Sequence, residues 1–310
     1  MIPLPKNFVL SEEISRALLE GQPIVALEST VITHGLPYPE NLSIAKDMEA
    51  VVREENAIPA TVAVIEGRVR IGLDATHLEF LAGSENLRKI SSRDFAPVIY
   101  TKESGGTTVA GTLAAAKRVG IKVFATGGIG GVHRDAPFDI STDLIQLSTS
   151  PVIVVCAGAK SILDLPATLE RLETLGIPVA GYQTDEFPAF YSRESGLPVS
   201  VAVQSAKDVA DIAKTHWGMG FQSAVLVTVP PPEDVAVPAK RMEKAIQQAL
   251  KDAKNKQIHG QAVTPFLLSR VNELTGGDSM KANLGLLKNN ARVAALIAHQ
   301  IYTPKRTQEI

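Results

Sequence analysis

The sequence predicts an α/β fold: a single α/β/α domain spanning residues 1–310, built on a mainly parallel central sheet. Three observations carry that expectation. Short, mostly apolar runs rich in β-branched residues recur at 23–27, 121–125, 151–157 and 224–229. Such runs read as strands buried on both faces. Between them lie segments with apolar residues at helical spacing, and alternation of strand and helix implies parallel strands covered on both sides. No low-complexity linker or fixed-period repeat interrupts the 310 residues. One domain is therefore expected, although length alone suggests about two.

Each element can be justified in order. Residues 11–20 read as a short amphipathic helix with Ser11 as N-cap and Gly21 as stop. The first buried strand, 23–27, ends directly at Glu28. Residues 31–40 are a loop rich in Gly, Pro and His. A helix follows over 41–56, with Ile44, Met48, Val51 and Val52 at helical spacing. Two short strands, 61–66 and 68–72, flank a turn at Gly67, and 76–82 is a short helix. The polar stretch 85–94 holds Arg88 and Lys89 in a charge run. Ser104-Gly-Gly-Thr-Thr108 opens an Ala-rich helix to Val119, where small residues allow close approach to backbone amides. The strand at 121–125 leads into a Gly-rich turn, Thr126-Gly-Gly-Ile-Gly-Gly-Val-His-Arg134. Residues 135–140 are a connecting loop and 141–148 a helix. After the strand at 151–157 come a helix at 163–175 and strands at 177–181 and 198–203. A helix at 205–217, a strand at 224–229 stopped by three prolines, and helices at 238–256, 264–274 and 280–301 complete the chain.

Composition bounds the function. Apolar residues make up 45% and charged residues 21%, as in an ordinary globular protein. A net charge of −2 points to neither nucleic acid nor an anionic membrane. Cys156 is the single cysteine, so no intrachain disulfide and no thiolate zinc cluster can form. It lies inside an apolar strand and reads as a small core residue. The first ten residues lack a signal-peptide apolar run, and no run of about 18 apolar residues exists. A cytoplasmic location is expected.

Candidate site residues gather at strand ends. Lys160 follows the strand at 151–157, and in open α/β sheets the carboxyl edge is where ligands bind. Its neighbours are Cys, Ala, Gly and Ser, with no acid nearer than Asp164. A partly desolvated lysine there is suited to Schiff-base formation with a carbonyl; capping the sheet or binding a phosphate is the plainer alternative. Glu28 ends another buried strand on the same edge and is either a general acid or a turn cap. The Gly-rich turn fails the G-x-G-x-x-G pattern and reads as an anion nest to which Thr126, His133 and Arg134 could add donors. Asp139, Ser141 and Asp143 form D-x-S-x-D, either an oxygen-rich divalent-metal site or an N-cap with acids at a helix start. Lys89 reads as part of a solvated face. His34 and His133 lack any metal-pair spacing. Asn283 is either exposed or turned toward a ligand.

Six stretches then carry a family resemblance: 26–41, 105–112, Gly127-Gly-Ile-Gly-Gly-Val-His-Arg134, Phe138-Asp-Ile-Ser-Thr-Asp143, Val155-Cys-Ala-Gly-Ala-Lys-Ser-Ile-Leu-Asp164, and Lys281-Ala-Asn-Leu with Lys288-Asn-Asn-Ala-Arg-Val-Ala294. In this order, from about residue 23 to about residue 298, the chain resembles the pseudouridine-5′-phosphate glycosidase family. The resemblance implies a manganese-dependent C-glycosidase, classed as a lyase. Such an enzyme reversibly converts pseudouridine 5′-phosphate and water to uracil and ribose 5-phosphate. It implies Lys160 as Schiff-base nucleophile, Glu28 as proton donor and Asp139 as Mn²⁺ ligand. It places Lys89, Val109 and Ser141, Thr142 and Asp143 against the substrate, with Thr126, His133 and Asn283 nearby. It also implies an α/β/α fold and a homotrimer. A different Schiff-base sugar-phosphate enzyme, such as an aldolase, or a non-catalytic nucleotide-phosphate binder would share part of these features.

Overall fold

The computed structural model describes residues 4–302 except residue 135 and residues 259–262. The chain opens with β1 (Phe8–Leu10) and α1 (Glu12–Glu20). Ser11 caps α1 by accepting from the Ile14 amide, and Gly21 ends it in the left-handed conformation. Next come β2 (Ile24–Leu27), a π-helical turn (Val31–Gly35), α2 (Glu40–Glu54), β3 (Ile58–Ile65), β4 (Arg68–Ile71) and α3 (Ala75–Gly83). The polar stretch 85–94, where Lys89 was expected on a solvated face, contains β5 (Arg88–Ile90) and a 3₁₀ turn (Ser92–Asp94), and α4 (Phe95–Thr101) follows it. Then follow β6 (Gly105–Thr107), α5 (Val109–Val119), β7 (Val123–Ala125), β8 (Val132–His133), β9 (Ala136–Ile140) and α6 (Thr142–Ser148). The second half holds β10 (Ile153–Cys156), β11 (Leu163–Asp164), α7 (Leu165–Thr174), β12 (Val179–Tyr182), β13 (Val201–Val203), α8 (Ala206–Gly218) and β14 (Val225–Thr228). Helices α9 (Ala239–Asn255), α10 (Val263–Leu274) and α11 (Asp278–Ile301) close it.

The sheet runs β1-β4-β3-β2-β7-β10-β14-β12-β13. From β3 to β13 neighbouring strands are parallel. Every residue of β2, β7, β10 and β14 is buried, as expected for strands covered on both faces. Helix α11 packs on β2, β7 and β10 and against α2 and α8; α5 packs on β2 and β3 and against α6. Phe124, Val154 and Leu226 are fully buried in this layer, each contributing about 1.5–3 kcal/mol of transfer free energy. No helix among the described residues is long and apolar enough to cross a membrane.

The departures from the expected elements are short. The first half of β3 pairs with β2, whereas its second half pairs antiparallel with β4 and with β6. Strand β6 in turn recruits β5 in parallel register, with Lys89 opposite Gly106. The expected loop at 135–140 is a strand from Ala136 onward, pairing with β8, which pairs with β11; residue 135 lies outside the described residues. This small antiparallel sheet carries His133 and Asp139.

Candidate active site

Strands β2, β7 and β10 are neighbours, and their carboxyl ends deliver Glu28, Thr126 and Lys160 to one edge. The register pairs Leu27 with Ala125 and Ala125 with Val155, so Glu28 and Thr126 leave the sheet at the same level. Beyond β10 the chain turns at Gly158, with φ +87°. It is stitched to the Gly-rich turn by Ala157 N to Gly127 O at 2.9 Å, Ile129 N to Gly158 O at 3.1 Å and Lys160 N to Ile129 O at 3.1 Å. A cavity of about 410 Å³ opens over this edge. Its walls include Lys160, Glu28, Lys89, Val109, His133 and Asn283, together with Asp139, Ser141, Thr142 and Asp143. These ten come from separated stretches of sequence, and the fold brings them to one place.

Glu28 is 8% exposed. One carboxylate oxygen accepts the Thr30 hydroxyl and the other the Thr126 hydroxyl. Two hydroxyl donors on opposite oxygens fix the plane and direction of the carboxyl group, leaving its remaining lone pairs for the cavity. Thr126, expected beside the substrate, is fully buried and is not part of the cavity wall. It stands behind Glu28 and orients it. Its carbonyl accepts from Asn290 Nδ2 of α11 at 2.9 Å.

Asp143 is 5% exposed and uses both oxygens inside the protein. Oδ1 accepts from Ala110 N at the start of α5, and Oδ2 from Gly130 N, each at 2.9 Å. The Gly130 amide of the supposed anion nest thus has an internal carboxylate partner. A Cβ at Gly130 would collide with Ser141 and lie 2.8 Å from Asp143 Oδ2, which is why glycine stands there. Ser141 is the N-cap of α6, accepting from Asp143 N at 3.2 Å, so the capping alternative holds while its residue also borders the cavity.

Lys89 faces the cavity and is only half-buried. Strand alternation explains why it departs from the expected solvated face. Its neighbour Arg88 pairs with Glu103 at 2.7 Å and Asp94 at 3.5 Å. Burial holds the Lys89 ammonium below the usual lysine value. The positive charge of Lys160 adds to this, while Asp143 and Glu28 oppose it. His34 also lines the cavity, its Nδ1 2.7 Å from Thr33 Oγ1. Burial first, then the charge of Lys89, lowers its pKa; a hydrogen bond to the Leu87 backbone opposes this.

Among the described residues no three His, Cys, Asp or Glu side chains converge as a metal cage. With both Asp143 oxygens held by amides, Asp139 is the carboxylate of its motif left for an ion. It is exposed on the cavity rim. One carboxylate completed by waters and substrate oxygens is the usual donor set of a small hard divalent cation, so the residues fit such an ion.

Several contributors had no legible signal in the sequence. Phe190 lines the cavity with φ +63°, and its ring lies 2.6 Å from where a Cβ on Gly128 would stand. Leu268 of α10 and Leu287 of α11 add apolar wall. An aromatic or leucine among apolar neighbours looks like core in one dimension. His34 sits in the Gly- and Pro-rich loop, whose unusual composition was the one available hint.

The chain is similar to known proteins over most of its length. The family described as Indigoidine synthase A like protein matches residues 13–300. A pseudouridine-5′-phosphate glycosidase of Caldanaerobacter subterraneus subsp. tengcongensis is 51% identical over 294 residues, 94% of this chain and 96% of that one. One from Paracoccus denitrificans is 51% identical over 304 residues, 97% of this chain and all of that one. Among solved structures, the prealnumycin C-glycosynthase AlnA in complex with ribulose 5-phosphate superposes with a TM-score of 0.89 at 39% identity. It covers 96% of this chain and 98% of its own. An indigoidine synthase A-like protein from Thermotoga maritima gives 0.88 at 34% identity with the same coverage.

Proposed function

Because the chain belongs to the indigoidine synthase A like family, we propose that it reversibly cleaves the C-glycosidic bond of pseudouridine 5′-phosphate, giving uracil and ribose 5-phosphate. It is an enzyme. The observation that carries the substrate chemistry is a single cavity holding an amine, Lys160, and a carboxyl group, Glu28, clamped by two threonine hydroxyls. The relative bound to ribulose 5-phosphate supports a pentose phosphate as ligand.

The bond to be broken joins two carbons, so protonating a glycosidic heteroatom cannot release the base. Covalent catalysis divides the step. Glu28 donates a proton to the ribose ring oxygen as the ring opens. The Lys160 amine attacks the anomeric carbon as its bond to the ring oxygen breaks, and the nitrogen returns a proton to the Glu28 carboxylate, which can pass it on to the departing base. The ring carbon of uracil takes a proton as the carbon–carbon bond breaks, and the lysine nitrogen lone pair forms the iminium. Water hydrolyses the iminium to release ribose 5-phosphate and regenerate the amine. Lys89 supplies positive charge beside the incoming phosphate ester. Asp139 would hold a manganese ion, which would neutralise phosphate and sugar oxygens when bound. Assembly as a homotrimer in the cytoplasm belongs to the same proposal.

The test is synthesis from ribose 5-phosphate and uracil with manganese, followed by ultraviolet absorbance and product mass. A product of pseudouridine 5′-phosphate mass that resists acid cleavage of N-glycosides is expected. No product, but a borohydride-trapped ribose 5-phosphate adduct on Lys160, would move the chain to another sugar-phosphate reaction. Neither product nor adduct would leave a binding protein.

A further inference from the structure

Residues 157–162, which carry Lys160, run between β10 and the two-residue β11 without a ladder of their own. One side of this loop is tied to the Gly-rich turn through Gly127 and Ile129. The other side is held by Arg134, which follows β8. Arg134 Nε donates to Leu163 O at 3.1 Å and Nη2 to Ser161 O at 3.0 Å. The same guanidinium meets Glu243 of α9 in a two-pronged pair, Nη1 to Oε1 at 2.7 Å and Nη2 to Oε2 at 3.0 Å. Gln247, one turn along α9, donates to Glu243 Oε1 at 3.0 Å. Arg134, expected to add a donor to the Gly-rich turn, spends these bonds on the lysine loop and α9.

The two side chains are 24% and 43% exposed, and a partly solvated ion pair contributes little to global stability. A planar fork bound on three sides contributes direction instead. Its two carbonyl partners are the first and third residues after Lys160. We propose that Arg134, oriented by Glu243, is a positioning residue for Lys160: it closes the second side of the loop and aims the amine at the Glu28 end of the cavity. This rests on the lysine imine proposed above. A misplacement of about 1 Å at a reacting atom costs on the order of 10²-fold in rate. A lysine at this position has no fork and cannot bridge both carbonyls and the carboxylate.

The test uses the full chain and two readouts. The first is the rate of borohydride-trapped ribose 5-phosphate adduct at Lys160, read by peptide mass; the second is steady-state cleavage of pseudouridine 5′-phosphate. For Arg134→Ala, kcat and the trapping rate are expected to fall by about 10²-fold with KM changed by less than about threefold. Added guanidinium should restore part of that loss, because it refills the fork. Glu243→Ala, which leaves the arginine but frees its orientation, should lose about 10-fold and gain nothing from guanidinium. Should Arg134→Ala fail to fold, Arg134→Lys and Glu243→Ala decide in its place. Trapping at the wild-type rate in these variants overturns the proposal. So does a loss that follows the melting temperature and is not rescued by guanidinium. No adduct on the wild-type enzyme would overturn the imine itself, a failure visible before any variant is made.

Discussion

Asp143 offers the sharpest test of how the site is held together. The residue is 5% exposed, and its carboxylate accepts two buried amides, Ala110 N and Gly130 N, each at 2.9 Å. Truncation to alanine leaves both donors unpaired. Hydrogen bonds to a charged group contribute about 1.5–3 kcal/mol each, so Asp143→Ala should cost about 3–6 kcal/mol. Unfolding entropy of about 2.1 cal/mol/K per residue, over 310 residues, gives about 0.65 kcal/mol per degree. The expected fall in Tm is therefore about 5–9 °C. Asp143→Asn keeps the shape and one acceptor but turns an NH₂ toward the second amide, so it should lose about half as much. Differential scanning calorimetry at a fixed scan rate reads both. If both variants melt within about 1 °C of the parent, the carboxylate is not the latch between α5 and the Gly-rich turn.

Further outcomes follow from the same structure. Thr126→Val removes one hydroxyl donor from Glu28 at nearly constant volume. It should lower kcat about 10-fold or more while Tm falls by only about 2 °C, and unchanged turnover would mean that Thr126 does not orient Glu28. Burial raises the Glu49 carboxyl pKa, opposed by the Thr61 hydroxyl bond and by Arg53. Its folded pKa lies above the unfolded one, so its contribution is full at low pH and is lost as pH rises through the folded value. Glu49→Gln should therefore gain stability relative to the parent as pH rises from below the ordinary carboxylate value into the neutral range, and a Tm difference independent of pH would contradict this. Cys156 is fully buried, with its thiol pushed up to about 12. It should react with thiol reagents at the rate of unfolding, and prompt labelling of the native enzyme would refute its placement in the core.

The main architecture was legible because the strands that build it are dense apolar runs. Sequences such as Ile153–Cys156 and Val225–Thr228 can only be buried, and the helices between them carry a 3.6-residue period. That alternation already placed Glu28 and Lys160 on one sheet edge, before any contact between them was visible. Caps were equally local: Ser11, Ser141 and Ser205 each accept an amide within three residues of themselves.

What the sequence could not hold was any element too short and polar to show a pattern of its own. Strands β5 and β6 are three residues each, too short and polar to show a period. They exist because the second half of β3 offers an edge beyond the reach of β2. That pairing turned Lys89 from an expected surface charge into a half-buried ammonium lining the same cavity as Lys160. The Gly-rich turn looked like a nest for a ligand anion because backbone amides do not reveal their acceptors. Only the folded chain shows Asp143 on the Gly130 amide, Thr126 behind Glu28, and Arg134 on the carbonyls after Lys160. The sequence by itself determined which residues have the chemistry and which must be buried, since hydrophobic period and side-chain type are properties of neighbouring residues. The tertiary structure decided which of them touch, because partners such as Thr126 and Asn290 lie 164 residues apart and are brought together by the closing of the sheet.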